Sequence, residues 1–174
     1  KYPHFKVLIV PRHPERFQVV KQLLIKKVEN FGMFSSPKSE VSLHLIDKVG
    51  ILPLCYQVSS LALVGGSFVK KVGGHNIIEP AKTGVPVLFG PYMHKQMDLC
   101  SLITQYGAGN QVKLDTLLKC IEDAIRSPAL AAEMGNRGKE LAQSIFGSAQ
   151  ATWEKIDVLL EKRLPKKNHP TDSV

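Results

Sequence analysis

Two Gly-Gly pairs and a His-Asn pair stand close together after a short apolar stretch, and these residue types could bind an anion. Gly65-Gly66 follows the stretch Leu61–Val64, and Gly73-Gly74 precedes His75 and Asn76. Glycine lets backbone amides approach a ligand closely, and the start of a following helix adds partial positive charge. The pattern therefore predicts an anion site, and its geometry suits a phosphate.

The residues between the glycine pairs leave the type of phosphate loop open. The segment lacks the Gly-x-Gly-x-x-Gly of dinucleotide sites and the Gly-Lys-Ser/Thr of Walker loops. Ser67 follows the first glycine pair and is expected to contact the ligand. Lys70 and Lys71 could help electrostatically, but a solvated loop explains both lysines equally well.

Glu79 has two interpretations. Asn76 and Glu79 have the spacing of a capping box, which would only close the helix predicted for residues 76–83. Pro80 argues against this, because at the fourth helical position its missing amide removes an intrahelical hydrogen bond. A free carboxylate could instead accept hydrogen bonds from both hydroxyls of a ribose. We expect ribose binding, with capping as the alternative.

A cation follows the first apolar stretch. Arg12 and His13 come after Val7–Val10 and before Pro14, which can begin a helix. A cation at a helix start faces the positive end of the helix dipole, and a bound anion would remove that conflict. Arg12 is therefore predicted to contact a phosphate or a base carbonyl, whereas a structural role explains His13 as well.

Composition bounds the class of protein. The chain has 174 residues, 44% of them hydrophobic and 22% charged, and its formal charge of +8 favours anionic partners. No apolar run reaches the ~18 residues of a membrane span. The cysteines, Cys55, Cys100 and Cys120, are far apart, so neither a metal site nor a disulfide framework is predicted, and a reducing cytosol fits. No spacing indicates a catalytic base.

Short apolar stretches alternate with helical patterns along the chain. Strands are predicted at Val7–Val10, Val41–Ile46, Leu61–Val64 and Val85–Phe89, and with less support at Phe31–Phe34 and Gly109–Val112. Helices are predicted at Pro14–Asn30, Pro53–Ser60, Asn76–Thr83 and His94–Gln105, from a cap at Asp115, from Ser127-Pro128 toward Ile145, and from Gly147 to about Lys162. The alternation predicts an α/β fold with a Rossmann-like, doubly wound parallel sheet. Ligands of such sheets bind at the carboxyl ends of the strands.

Three motifs occur in order between residues 6 and 146: VPRHPERF, VGGSFVKKVGGHNIIEP and GVPVLFGPYMHK. Together they resemble the carboxyl-terminal half of bacterial 3-deoxy-D-manno-octulosonic acid (Kdo) transferases. The resemblance implies the carboxyl-terminal lobe of a GT-B glycosyltransferase, over residues 1–162, cut short at its amino-terminal edge and followed by a polar tail at 163–174. It also implies that the amino-terminal acceptor lobe, which carries the catalytic carboxylate, is absent, so this chain alone is expected to be inactive.

The family's activity would be transfer of Kdo from CMP-Kdo to a lipid A precursor in lipopolysaccharide synthesis, with inversion and without metal or cofactor. The full-length protein would then work at the cytoplasmic face of the bacterial inner membrane, and this fragment would be soluble. Strand-end topology and the resemblance together predict these contacts to CMP: Pro11, Arg12, Val49, Gly50, Ile51, Gly66, Ser67, Gly74, His75, Asn76, Ile77, Ile78 and Glu79. The family more often has Asp-Thr-Met-Gly-Glu where residues 47–51 read DKVGI, so backbone contacts are expected there.

Two alternatives stay open. One is another GT-B nucleotide-sugar enzyme, such as an epimerase, because its donor lobe can look alike. The other is a basic module that binds nucleic acid or an acidic membrane through its net charge. With only 7% aromatic residues the chain offers few surfaces for base stacking, so nucleic acid is not expected as a partner.

Overall fold

The computed structural model describes residues 4–163, and of residues 148–151 and 161–163 it describes the backbone alone. The chain divides into two compact units, Lys1–Ser60 and Leu61–Val174. The described strands form two three-stranded sheets, one in each unit, and all their pairings are parallel. The predicted α/β class is confirmed, while the boundary of a lobe at 1–162 stays a prediction. Of the predicted polar tail, residues 164–174 lie outside the described residues.

The described part of the first unit, residues 4–60, contains three strands and two helices. These are β1 (Val7–Ile9), α1 (Arg16–Lys27), β2 (Gly32–Met33), β3 (Leu43–Leu45) and α2 (Leu52–Gln57). The strand order is β1-β3-β2, so β3 is central, and its Leu45 pairs with Ile9 on one side and Met33 on the other. The spacing of Phe17, Val20 and Leu24 at steps of three and four predicted an apolar stripe on α1. The stripe is confirmed, since Leu24 is buried and Phe17 and Val20 are half-buried.

The second unit begins with β4 (Ala62–Val64) and a 3₁₀ turn (Gly65–Phe68). It continues with α3 (Ile78–Lys82), β5 (Val87–Phe89), α4 (Met97–Gln105), β6 (Gly109–Gln111), α5 (Leu117–Arg126) and α6 (Pro128–Arg163). The strand order is β4-β5-β6. All three residues of β5 are buried. A strand covered on both faces needs a continuous apolar run, which is why the sequence pattern located β5 correctly.

The core of the second unit lies between its sheet and the packed helices α3 and α6. Ile77, Ala81, Phe89 and Ile103 are all fully buried in it. Small residues let the two helices approach closely: a Cβ added at Gly138 would lie only 3.3 Å from the Cβ of Ala81. This packing fixes the start of α3, and with it the residues that precede this helix.

Three predictions about the last two helices are wrong. α6 is a single helix of 36 residues rather than two, because a helix-interior glycine such as Gly147 costs only about 1 kcal/mol and the helix tolerates it. Asp115 does not cap α5, which starts after Thr116. The spacing of apolar residues after Asp115 predicts that Leu118 faces inward, yet Leu118 is 69% exposed. None of the described helices combines the length and apolar character needed to cross a membrane.

Candidate functional site

The glycine-rich loop after β4 is closed by its own hydrogen bonds. The amide of Gly73 donates to the carbonyl of Val69 (3.1 Å), and the amide of Gly74 donates to the carbonyl of Gly66 (3.3 Å). The sequence predicted that these two amides would face a phosphate. In the structure both amides donate within the loop itself, and the contact of Gly74 with a ligand stays a prediction.

Packing explains why the second pair must be glycine. Gly73 and Gly74 have φ angles of +72° and +73°, a region that other residues rarely adopt. A Cβ at Gly73 would overlap the ring of His94, and one at Gly74 would overlap the sulfur of Met93. The fold alone therefore requires both glycines.

Ser67 is used inside the fold. It is fully buried, and its hydroxyl donates to the carbonyl of Val64 and accepts from the amide of Gly90 at 2.6 Å. Its carbonyl accepts the amide of Tyr92 at 2.9 Å. Ser67 thus ties the loop after β4 to the loop after β5 through its hydroxyl and carbonyl, and its contact with a ligand stays a prediction. The type and position of the residue could not distinguish an inward hydroxyl from an outward one.

Asn76 and Glu79 do not form a capping box. The Oδ1 of Asn76 accepts the amide of Ile78 at 3.1 Å, and α3 begins at Ile78 without a side-chain cap. Pro80 is therefore the third helical residue, where its missing amide removes no intrahelical hydrogen bond. The prediction that Pro80 occupies the fourth helical position is wrong. Glu79 is half-buried, and its carboxylate has no hydrogen bond or ion pair with any side chain or backbone group that the structure describes. It is available to a ligand.

Ile77 and Ile78 belong to the core. Ile77 is fully buried and Ile78 is 7% exposed. These side chains anchor α3, so the contacts predicted for Ile77 and Ile78, which stay predictions, would have to come from the backbone. Gly66 and His75 are half-buried and adjacent, since a Cβ at Gly66 would come within 2.9 Å of the Nδ1 of His75. In the second unit, the predicted contacts that keep an accessible surface are Gly66, Gly74, His75, Asn76 and Glu79.

A groove of about 580 Å³ adjoins Asn76 in the second unit. Its lining is partly apolar, with Ile145 and Phe146 of α6. The exposed side chains of His94 and Lys95 stand at the same groove, before the start of α4. A cation near Asn76 fits an anionic ligand, and the sequence analysis had not assigned Lys95 to the site.

The first unit presents its predicted contacts at one sheet edge. β1 and β3 are neighbours, and the amide of Ile46 donates to the carbonyl of Ile9 at 2.8 Å. Pro11 and Arg12 follow β1, and the turn of residues 49–51 follows β3, so both lie at carboxyl ends of adjacent parallel strands. Arg12 is exposed, and in the turn Gly50 has a φ of +84°. This is the edge where ligands of parallel sheets bind.

Asp47 stands just before that turn and was not singled out by the sequence analysis. Its carboxylate accepts the amide of Ser35 at 2.9 Å and the hydroxyl of Ser35 at 2.5 Å. Partial burial raises the pKa of Asp47, but the two hydrogen bonds from Ser35 and the positive charge of Lys21 lower it, and the net pKa lies below its ordinary value. A carboxylate directly after an apolar strand was the signal that could have drawn attention to it.

Curated sequences resemble most of this chain. The 3-deoxy-D-manno-octulosonic acid transferase of Chlamydia muridarum is 35% identical over 151 residues, which cover 86% of this chain and 35% of the relative. The enzyme of the same name from Aquifex aeolicus is 41% identical over 119 residues, which cover 67% of this chain and 32% of that enzyme. The enzyme from Haemophilus influenzae is 33% identical over 169 residues, which cover 94% of this chain and 39% of that enzyme. The matched segment thus spans about a third of the length of these relatives, from 32% to 39%.

A solved structure agrees with the sequence comparison. The C-terminal CMP-Kdo binding domain of WaaA from Acinetobacter baumannii matches with a TM-score of 0.73 and 25% identity, covering 79% of this chain and 74% of that one. The chain belongs to the Kdo transferase family. No protein-family model matches it. The resemblance seen in the three motifs is confirmed, and the α/β fold is that of the carboxyl-terminal lobe of these GT-B Kdo transferases.

Proposed function

We propose that this chain is the donor-binding part of a Kdo transferase and that it binds CMP-Kdo. The observation that carries the proposal is the match in fold to a C-terminal CMP-Kdo binding domain, over about three quarters of that domain. Relatives named as Kdo transferases support it, and one of them aligns with 94% of this chain. Residues 1–162 are proposed to serve as the donor-binding part.

The accessible residues of the second unit suit the sugar and phosphate of a nucleotide. Among the described groups the carboxylate of Glu79 has no partner, and it can accept hydrogen bonds from the two ribose hydroxyls. Lys95 adds a positive charge at the neighbouring groove. Because CMP leaves with a negatively charged phosphate when Kdo is transferred, a fixed positive charge near that phosphate would stabilise the transition state.

The residues of the first unit suit the phosphate and the base. Arg12 is exposed at the end of β1, and its guanidinium can donate to a phosphate or to a base carbonyl. The turn of residues 49–51 offers only apolar side chains and a glycine, so its contacts would come from the backbone. This is the contribution we propose for Val49, Gly50 and Ile51.

The remainder of the reaction is proposed to depend on parts of the protein outside this chain. The relatives are nearly three times as long as the segment matched here. We place the catalytic carboxylate and the site for the lipid A precursor in that remainder, with transfer by inversion and without a metal ion. An acceptor of this kind puts the full-length protein at the cytoplasmic face of the inner membrane.

Calorimetric titration of this chain with CMP, UMP, AMP and a UDP-sugar tests the proposal. We expect binding of CMP and weaker or undetectable binding of the other three. Equal affinity for all four by a folded chain would refute the CMP assignment. Preference for the UDP-sugar would instead identify a different nucleotide-sugar enzyme, such as an epimerase.

Glu79→Ala tests the ribose contact. Loss of hydrogen bonds to a charged group should weaken CMP binding by about 1 to 3 kcal/mol. Glu140→Ala is the control, because Glu140 is exposed on α6 and makes no ion pair or hydrogen bond with the part of the chain whose side chains are described. Circular dichroism verifies that both variants fold. Unchanged CMP affinity in Glu79→Ala would remove Glu79 from the site.

A further inference from the structure

Two contacts in the first unit join the segment after β2 to the segment after β3. The first is the pair of hydrogen bonds from the amide and hydroxyl of Ser35 to the carboxylate of Asp47, at 2.9 and 2.5 Å. The second places the amine of Lys48 5.3 Å from the centre of the Phe34 ring, within the range of a cation–π interaction. Consecutive residues on one segment therefore contact consecutive residues on the other.

These contacts precede the turn at the carboxyl end of β3. Val49 follows Lys48 directly, and Gly50 with its positive φ completes the turn before α2. Val49 is 62% exposed, so core packing does little to hold the turn. The hydrogen bonds to Asp47 involve an ionised acceptor and are stronger than those between neutral groups. They therefore restrain the residue that leads into the turn.

We infer that Asp47, held by Ser35, is a positioning residue that fixes the turn of residues 49–51 for nucleotide binding. The inference rests on the proposed function, because the turn matters only if its backbone contacts the donor. Asp47 itself need not touch the ligand. Its role is to reduce the conformational freedom of the turn, so that less entropy is lost when the nucleotide binds.

The test compares Asp47→Asn, Ser35→Ala and Ser35→Thr with the wild-type chain. Asparagine retains the size of Asp47 but removes its charge, and Thr retains the hydroxyl that Ala removes. Glu40→Gln is the control, since Glu40 is exposed in the same unit and has no hydrogen bond or ion pair among the described residues. For each variant we measure the Kd for CMP, the urea midpoint and the amide hydrogen exchange of residues 49–52.

We expect Asp47→Asn to weaken CMP binding about tenfold, the scale of one charge-assisted hydrogen bond, and to speed exchange in the turn. Ser35→Ala should do the same to a smaller extent, Ser35→Thr should restore wild-type values, and Glu40→Gln should change nothing. The ratio of wild-type to Asp47→Asn affinity should be constant from about pH 5 to about pH 8, because a carboxylate with a lowered pKa stays ionised there. It should shrink at lower pH, as the wild-type carboxylate becomes protonated.

The outcomes separate this inference from the proposed function. If the wild-type chain binds CMP but Asp47→Asn binds equally well, with unchanged turn exchange, the inference is wrong and the function stands. If only the urea midpoint falls, Asp47 is merely structural and the inference is also wrong. If the wild-type chain does not bind CMP, the proposed function fails, and the exchange data alone decide whether Asp47 holds the turn.

Discussion

Replacing Ser67 with alanine tests how the loop after β4 is held in place. The change removes the hydrogen bond to the carbonyl of Val64 and leaves the buried amide of Gly90 without its acceptor. Loss of the hydrogen bond to Val64 should cost about 1 kcal/mol, and leaving the buried amide of Gly90 unsatisfied should cost about 1 to 3 kcal/mol. The free energy of unfolding should therefore fall by about 2 to 4 kcal/mol.

Urea unfolding followed by circular dichroism measures this loss. With a slope of about 1 to 3 kcal/mol per molar urea, the midpoint should fall by about 1 M. Because the chain has two compact units, hydrogen exchange of the amides of β4 and β5 is needed to assign the loss to the second unit. Both strands should exchange faster in the variant.

Ser101→Ala is the matched control. The hydroxyl of Ser101 also donates to a backbone carbonyl, that of Met97 at 3.1 Å, but it does so on the exposed surface of α4. Water can replace that hydrogen bond, so the loss should stay within about 0.5 kcal/mol. If Ser67→Ala were no more destabilising than Ser101→Ala, the hydroxyl of Ser67 would not hold the two loops together and the reasoning would be refuted.

Two pairs of glycine substitutions test the packing of the second unit, each pair with one disruptive change and one control. Gly74→Ala should lower the free energy of unfolding by about 2 kcal/mol or more, because it forces a strained φ and an overlap with Met93. Gly65→Ala should change the free energy of unfolding by no more than about 0.5 kcal/mol. Urea unfolding compares the two variants. Gly135→Ala in α6 should also lower stability by about 1 to 3 kcal/mol, because its Cβ would overlap the carbonyl of Gly84. In the same helix, a Cβ at Gly147 would have no described atom within 4 Å, so Gly147→Ala should raise stability by up to about 1 kcal/mol. Thermal melting compares Gly135→Ala with Gly147→Ala. Equal melting temperatures for these two variants would contradict the packing described.

The sequence predicted the strands well because buried parallel strands need continuous apolar runs. Val87–Phe89 is the clearest case, since all three residues are buried. The same pattern identified the loops at the strand ends, and so the region of the site. The sequence pattern could not show the length of α6. In a single sequence, a glycine inside a helix, such as Gly147, looks the same as a glycine in a loop that joins two helices.

Within the loops, the sequence predicted the roles of individual side chains less well than it predicted the strands, because the direction of a side chain depends on tertiary contacts. Ser67 and Ile77 were assigned to the ligand by their position in a motif, yet both are fully buried. Asp47 was passed over because nothing local to its segment shows that Ser35, twelve residues earlier, donates to it twice. Long-range hydrogen bonds of this kind have no signature in periodicity or composition.

Gly65 is the glycine of this loop that the fold does not explain. Gly66, Gly73 and Gly74 each have a neighbour that an added Cβ would crowd. Gly65 has no positive φ, it is exposed, and no described atom lies within 4 Å of its Cβ position. A glycine that packing does not require, at the carboxyl end of a parallel strand, is what close approach of a ligand to the backbone would favour. Under the proposed function, Gly65→Ala should therefore weaken CMP binding while leaving stability unchanged, and unaltered CMP affinity would show that the donor does not approach this residue.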